Sequence, residues 1–482
     1  MSEITFCTAS ELANKIQDKK VTSSEVLDAH LDHISSHNSQ LNAIVTLNEE
    51  NARQRAKEAD TALSRGENWG PLHGVPVTIK DAFETRGLKT TSSFKPLANY
   101  IPQQDATVVE RIQAAGAVII GKTNMPTLAL DIQSNSPLFG TANNPWDTTR
   151  TTGGSTGGGA ASVAAGFSPL EIGSDIGGSV RIPAHFCGIF SIKPTENIVP
   201  MAGHIPEPPD APRGVRHMGV SGPLARSVED LQLVLPLLTG PDGKCWDIAP
   251  VSMEKVAESS LPKVRVAWTD SFGSLTASND TRNCMSAAVD KLTEAGCIVE
   301  KNEPTDLDFE KVWQTWGELL GAEVGSGMPY IARLLTGIQY KLMRDQSVFK
   351  KGLLKGLKMS LHDYAKVLTR RDGLISILEN FLAGWDAWLC PVTTGPAFQH
   401  CKTGQPIMVD DRPMSYFKAN MGFTTVFNLT GNPVTVIPMG KSKEGLPIGM
   451  QIVGRRWNDM QVLSIAQAVS KAIKPFSRPE GY

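Results

Sequence analysis

The sequence predicts an α/β fold in which a mixed central sheet is covered by helices on both faces. From Pro71 onward, short apolar runs at residues 75–79 and 117–120 alternate with a helical segment at residues 106–115, the pattern of strands and helices that pack as layers. A second strand, helix, strand succession reads at residues 264–269, 279–294 and 297–301. No apolar run approaches the roughly 20 residues that a membrane-spanning helix needs.

The elements follow in order. Residues 8–19 and 22–38 read as helices, the second capped by Thr22 or Ser23 and carrying leucine and valine at helical intervals. A third spans residues 49–65, and all three are expected to wrap the core without entering catalysis. The run at residues 75–79 reads as a buried strand with Lys80 at its end. Residues 123–147, rich in Asn, Pro and Gly, read as a long loop. Residues 160–165 are small and favour a helix that lies close to other backbone. The unit at residues 264–301 is expected to begin a second layer.

Residues 153–195 carry two serine-bearing glycine loops around this small-residue helix. The first, Gly153-Gly154-Ser155-Thr156-Gly157-Gly158-Gly159, lacks the Gly-Lys-Ser/Thr ending of a phosphate cradle. The second, Gly173-Ser174-Asp175-Ile176-Gly177-Gly178-Ser179, has small residues that leave backbone N–H groups uncovered before Ser179. Such groups can hold a developing oxyanion, which makes Ser179 the candidate nucleophile.

A serine hydroxyl needs a base. His185 and His73 have no acid–base partner near them in sequence, and Val180, Arg181 and Ile182 after Ser179 do not continue a Gly-x-Ser-x-Gly elbow. Lys80 is the better candidate, because burial lowers a lysine's pKa and yields a neutral amine that accepts a proton near pH 7. The simpler alternative is a strand-end lysine paired with Asp81.

GGSTGG, GSDIGGSVR and CGIFSIKPT, preceded by GVPVTIKD and GKTNMP, closely resemble the amidase signature family of serine hydrolases. The similarity runs over residues 71–231 and, more weakly, 388–469. It implies an acyl-enzyme mechanism with Lys80 as base, Ser155 as a bridging serine held by a cis peptide bond, and Ser179 as nucleophile. The backbone N–H groups of Ile176, Gly177, Gly178 and Ser179 would form the oxyanion hole. Asp175 and Arg181 match polar residues that support the nucleophile loop, and Thr156 replaces the second serine of GGSSGG. Ser191 stands where glycine is commoner, and Ala129 matches a position whose backbone carbonyl faces the reaction centre.

The resemblance also implies one large domain at residues 1–482, where length alone would suggest about three. Its parts are N-terminal helices (1–66), the signature core (67–235), a variable second layer and pocket cover (236–385) and the C-terminal part of the core (386–482). The chemistry needs no metal or organic cofactor, and the expected activity is hydrolysis of a small-molecule carboxylic amide.

A formal charge of −2 gives no basic footprint for nucleic acid. Seven cysteines, odd in number and scattered, together with no signal peptide, favour a cytoplasmic location. The oligomeric state is left open, a homodimer among the alternatives. Residues 331–361 carry seven Lys/Arg and one Asp among apolar residues, a composition that suits a membrane surface or a solvated helix packed on its own protein.

Two other functions fit the motifs. A glutaminase subunit of a tRNA-dependent amidotransferase shares the signature, although GKTNMPTLALD lacks the acidic pair usual after TNM in that branch. A binding or scaffold protein that has lost catalysis is disfavoured by the joint presence of Lys80, Ser155 and Ser179.

Overall fold

Along Ala387–Pro391 successive side chains enter opposite apolar layers: Ala387 and Leu389 join one, Trp388 and Cys390 the other. This period of two is the signature of a strand buried on both faces. A computed structural model, which describes residues 2–206, 213–254, 256–473 and 476–482, places that strand in an eleven-stranded sheet. The strands are β1 (Ile44–Leu47), β2 (Pro76–Lys80), β3 (Val118–Thr123), β4 (Leu170–Asp175), β5 (Phe190–Lys193), β6 (Val220–Ala225), β7 (Arg265–Trp268), β8 (Ile298–Lys301), β9 (Ala387–Pro391), β10 (Val434–Lys441) and β11 (Pro447–Val453). Their spatial order is β1-β3-β2-β4-β6-β5-β10-β11-β9-β7-β8. β2 runs parallel to β3 and β4, and β7 runs parallel to β8 and β9. The remaining neighbours are antiparallel, so the sheet is mixed.

Helices cover both faces. One layer takes apolar residues from Ala9–Gln17, Thr107–Ala114, Val228–Leu238, Asn279–Glu294 and Asp459–Ile473. The other takes them from Gly157–Ala164, Arg181–Cys187, Phe309–Ser326, Leu361–Leu382 and Thr425–Thr430, and contains the serine-bearing loops. The α/β class and the mixed sheet with its two helical coats match the expectation.

The N-terminal helices form at Ala9–Gln17, Ser23–Leu41 and Glu49–Ser64. Thr8 with Glu11 and Thr22 with Glu25 form reciprocal capping boxes, each satisfying N–H groups that the helix start leaves open.

Three expectations are corrected. The unit at residues 264–301 does not begin a second layer: Val266 and Ala267 of β7 enter opposite apolar layers, and β7 and β8 continue the same sheet beyond β9. The second glycine loop is shorter than residues 173–179, because Gly173, Ser174 and Asp175 complete β4, paired to β6. Residues 331–361 do not form one segment: they divide into the helices Tyr330–Leu342 and Val348–Gly356 and reach the start of Leu361–Leu382.

Candidate active site

The first glycine loop sits where side chains would not fit. A Cβ on Gly158 would lie 2.4 Å from the Asn124 nitrogen and 2.6 Å from the Ala43 carbonyl oxygen, and one on Gly159 would meet Glu171 at 2.4 Å. The helix Gly157–Ala164 therefore lies directly against β3 and β4, carrying Ser155 and Thr156 at its N-terminal end to the end of β2. The Gly154–Ser155 peptide bond is cis.

Lys80 ends β2 with its side chain fully buried. Its Nζ donates to Ser155 Oγ at 2.7 Å and to Ser174 Oγ at 3.0 Å. Burial pulls its pKa down to about 7, against the opposing pull of the Asp175 and Glu171 charges. A large fraction of Lys80 is thus a neutral amine near pH 7. Pairing with Asp81 does not occur: Asp81 accepts from the Thr91 backbone N–H at 3.1 Å and from the Thr91 hydroxyl. Asp81 lies in the turn that follows β2, where Thr91 holds its carboxyl away from Lys80.

Ser179 follows β4 and is 8% exposed. Its carbonyl oxygen accepts from Thr156 N–H at 3.1 Å, which ties the two glycine loops together. Among the described residues no hydrogen bond joins the Ser155 and Ser179 hydroxyls. The Lys80 to Ser155 link is closed and the Ser155 to Ser179 link is open.

The nucleophile loop is oriented by its carbonyls. Trp316 Nε1 donates to Ile176 O at 2.9 Å, and Thr424 Oγ1 donates to Gly177 O at 2.7 Å. In a trans peptide the following N–H points the opposite way, so Trp316 sets the direction of the Gly177 N–H. The Gly178 N–H is already used, donating to Asp175 Oδ1 at 2.8 Å. Of the four N–H groups expected in the oxyanion hole, those of Ile176, Gly177 and Ser179 have no protein acceptor among the described residues.

Asp175 and Arg181 are both fully buried and paired, Arg181 Nη2 reaching Asp175 Oδ1 at 2.9 Å and Nε reaching Oδ2 at 3.0 Å. Although burial raises the Asp175 pKa, the Arg181 charge and hydrogen bonds from Arg181 and Asn428 hold it well below the usual carboxylate range. Arg181 also donates to Gln451 Oε1, Asn428 Oδ1 and the Thr424 carbonyl. The ion pair therefore fastens the loop to Thr425–Thr430 and β11; it is not a surface pair.

Thr156 fits in place of serine because Gly173 lies against it: a Cβ on Gly173 would come within 2.6 Å of Thr156 Cγ2. Ser191 is buried in β5, its hydroxyl without a partner among the described residues. His185 and His73 hold backbone, through Gly395 O and Gly449 N for His185 and Ala59 O and Trp69 N for His73.

A narrow cavity of about 60 Å³ opens beside Ser179, Ile176 and Gly177. Ala129, in the left-handed region with φ of 60°, forms part of its wall beside Leu130 and Asp131. Trp316, Leu320, Phe349, Leu353, Phe417 and Met421 supply an apolar surface opposite. Lys350 also lines it, but its ammonium is committed to the Met343 carbonyl at 2.8 Å.

Sequence reasoning missed Ser174, His204, Trp316 and Thr424. Ser174 lies inside the GSDIGGSVR motif, where alternation along β4 could have paired it with Lys80 across from Asp175. Nothing in the sequence marks His204, Trp316 or Thr424, which reach the site only through the fold.

The family model described as Amidase matches residues 25–463. The chain is 32% identical over 487 residues to a glutamyl-tRNA(Gln) amidotransferase subunit of Geobacillus thermodenitrificans, covering 96% of this chain and 97% of that one. A solved structure titled as an amidase is 27% identical, covers 97% of this chain and 100% of its own, and superposes with a TM-score of 0.80. The structure of 6-aminohexanoate cyclic dimer hydrolase with substrate is 25% identical, with 99% coverage of both chains and a TM-score of 0.82. Fold and relatives define a hydrolase of amide C–N bonds. The chain belongs to the amidase signature family.

Proposed function

We propose that this protein cleaves a carboxylic amide through an acyl-enzyme on Ser179. Neutral Lys80 takes a proton from Ser155 as Ser155 takes one from Ser179, whose Oγ bonds to the substrate carbonyl carbon. The oxyanion is received by the N–H groups of Ile176, Gly177 and Ser179. The relay returns the proton to the leaving nitrogen as the C–N bond breaks, and water then releases the carboxylate. The observation that carries this reading is the buried Lys80 amine bonded to Ser155 at 2.7 Å, with Thr156 tied to Ser179 one residue further on. Catalytic hydrogen bonds commonly tighten when substrate binds, and the relay closes when the Ser179 hydroxyl comes within reach of Ser155. A serine-reactive fluorophosphonate should label Ser179 alone; labelling that persists in Ser179→Ala would overturn the assignment.

Two substrate readings share this chemistry. A glutaminase subunit of a tRNA-dependent amidotransferase has the wider support from relatives, given the 32% identity across nearly the whole of both chains. A free-standing amidase taking an apolar acyl group is supported by the cavity wall, where Trp316, Leu320, Phe349, Phe417 and Met421 face Ser179 and the Lys350 cation is occupied. Purified chain assayed alone on glutamine and on hydrophobic amides separates them. Turnover of apolar amides without a partner supports the second; glutamine hydrolysis that appears only with partner subunits supports the first.

The helix Tyr330–Leu342 supports a contact with an anionic lipid surface. Tyr330, Ile331, Leu334, Leu335, Ile338 and Leu342 share one face and point outward, with Ile331 70% and Leu342 80% exposed. Lys341, Arg344, Lys351 and Lys358 are exposed nearby, and Asp345 is buried. Outward apolar residues flanked by cations match an acidic interface. Co-sedimentation with phosphatidylglycerol vesicles should be lost in Leu335→Glu/Ile338→Glu; equal binding by both proteins would refute the contact.

A further inference from the structure

Lys80 has two hydroxyl partners, and the relay uses only one. The other, Ser174, receives a Lys80 N–H at 3.0 Å and meets His204 Nε2 at 2.8 Å on its far side. We propose that His204 is a positioning residue that accepts the Ser174 hydroxyl proton and so keeps the Lys80 lone pair directed at Ser155. The proposal rests on the Lys80, Ser155, Ser179 reading above.

A hydroxyl has one proton and two lone pairs, and a neutral amine has two N–H groups and one lone pair. If the Ser174 proton goes to His204, the Ser174 oxygen can only accept from Lys80. One N–H is then fixed on Ser174, rotation about the Cε–Nζ bond stops, and the lone pair is left for Ser155. Without an acceptor on its far side, the Ser174 hydroxyl is free to turn and donate to Lys80. It would then compete with Ser155 for the one lone pair that makes Lys80 a base.

The fold holds His204 in place for this. Ile205 N–H donates to the Ala82 carbonyl at 2.7 Å, Phe83 and His204 pair as an antiparallel bridge, and their rings lie 5.0 Å apart. The segment carrying His204 is thus bound to the residues that follow Lys80 in the chain. Burial and the nearby Lys80 keep the imidazole neutral, which leaves Nε2 free to accept when Nδ1 carries the hydrogen. The charged groups acting on Lys80 are Asp175 and Glu171 of β4, and both favour its cation. His204 and Ser174 therefore set the direction of the amine, while the two carboxylates act on its charge.

The test is the rate of Ser179 labelling by a fluorophosphonate across pH 5 to 9, read by intact mass, which needs no knowledge of the substrate. His204→Leu, which keeps the site dry and removes the acceptor, should lower the plateau at least about tenfold. It should also move the acidic limb to lower pH, because a hydroxyl donating to the neutral amine stabilises that form. His204→Gln, whose Oε1 can accept the same proton, should recover most of the rate. In a Ser174→Ala background, His204→Leu should have no further effect, a comparison that stands even if the single variant folds poorly. An acidic limb unmoved in His204→Leu, or a glutamine variant no faster than leucine, overturns the positioning role. Wild-type labelling that survives Ser179→Ala overturns instead the reading beneath it.

Discussion

Lys80 and Asp81 are adjacent in the chain and serve different networks: Lys80 reaches Ser155 and Ser174, whereas Asp81 is held by Thr91. Among the described residues the amine therefore has no directly bonded carboxylate to keep it charged, and burial brings its pKa to about 7. A base acts only when unprotonated, so kcat/KM should rise with pH through about 7 and level off above it. Lys80→Met should lose at least about a thousandfold at pH 7.5 and show no such limb. A pH profile of both proteins checks this.

Trp316→Phe tests how the oxyanion donors are aimed. The substitution removes the indole N–H that holds the Ile176 carbonyl at 2.9 Å and keeps most of the ring. Loss of a whole oxyanion donor costs about 10²–10³ in kcat. A donor that is merely less well aimed should lose about tenfold, in kcat more than in KM. Steady-state kinetics on any turned-over amide measure the split.

Arg181→Met should cost more in stability than any surface charge. It strands the buried Asp175 carboxylate, and removing one member of a buried pair typically costs about 3–5 kcal/mol. Urea unfolding should show a markedly lower midpoint, whereas Arg53→Met, at an exposed pair, should change it little.

Gly158→Ala adds a methyl where backbone atoms of Asn124 and Ala43 stand within 2.6 Å. Neither neighbour is a flexible side-chain end, so the helix Gly157–Ala164 must move. Overpacking of this kind costs about 1–3 kcal/mol. Thermal unfolding should fall accordingly, with Ser155 displaced and activity reduced beyond the stability loss.

The parts of the site that could be read in the sequence share one property: their residues lie in contiguous motifs. Lys80, Ser155, Asp175, Ser179 and Arg181 all sit in short glycine-bearing strings whose backbone needs constrain residue type. The helix at Ser23–Leu41 was legible through Thr22 as its cap and through leucine and valine at helical intervals. Trp316, Thr424 and His204 were not, because each reaches the site from a segment with no local signal. The placement of β7 was missed for a related reason. An apolar run states that both faces are buried, but not which strand lies alongside.

The reacting groups come from residues 80–179, and most of the apolar wall comes from residues 316–421. Trp316, in the helix Phe309–Ser326, bridges these two stretches of chain at the cavity through Ile176, and Tyr416 bridges them again through Asp131. Changes to the wall that spare Trp316, Tyr416 and Met421, which packs on Gly177, can accumulate without disturbing the bond-breaking parts. A gene encoding this chain could thus diversify its appetite for acyl groups by exchanging one contiguous stretch, with the hydrolytic half inherited unaltered.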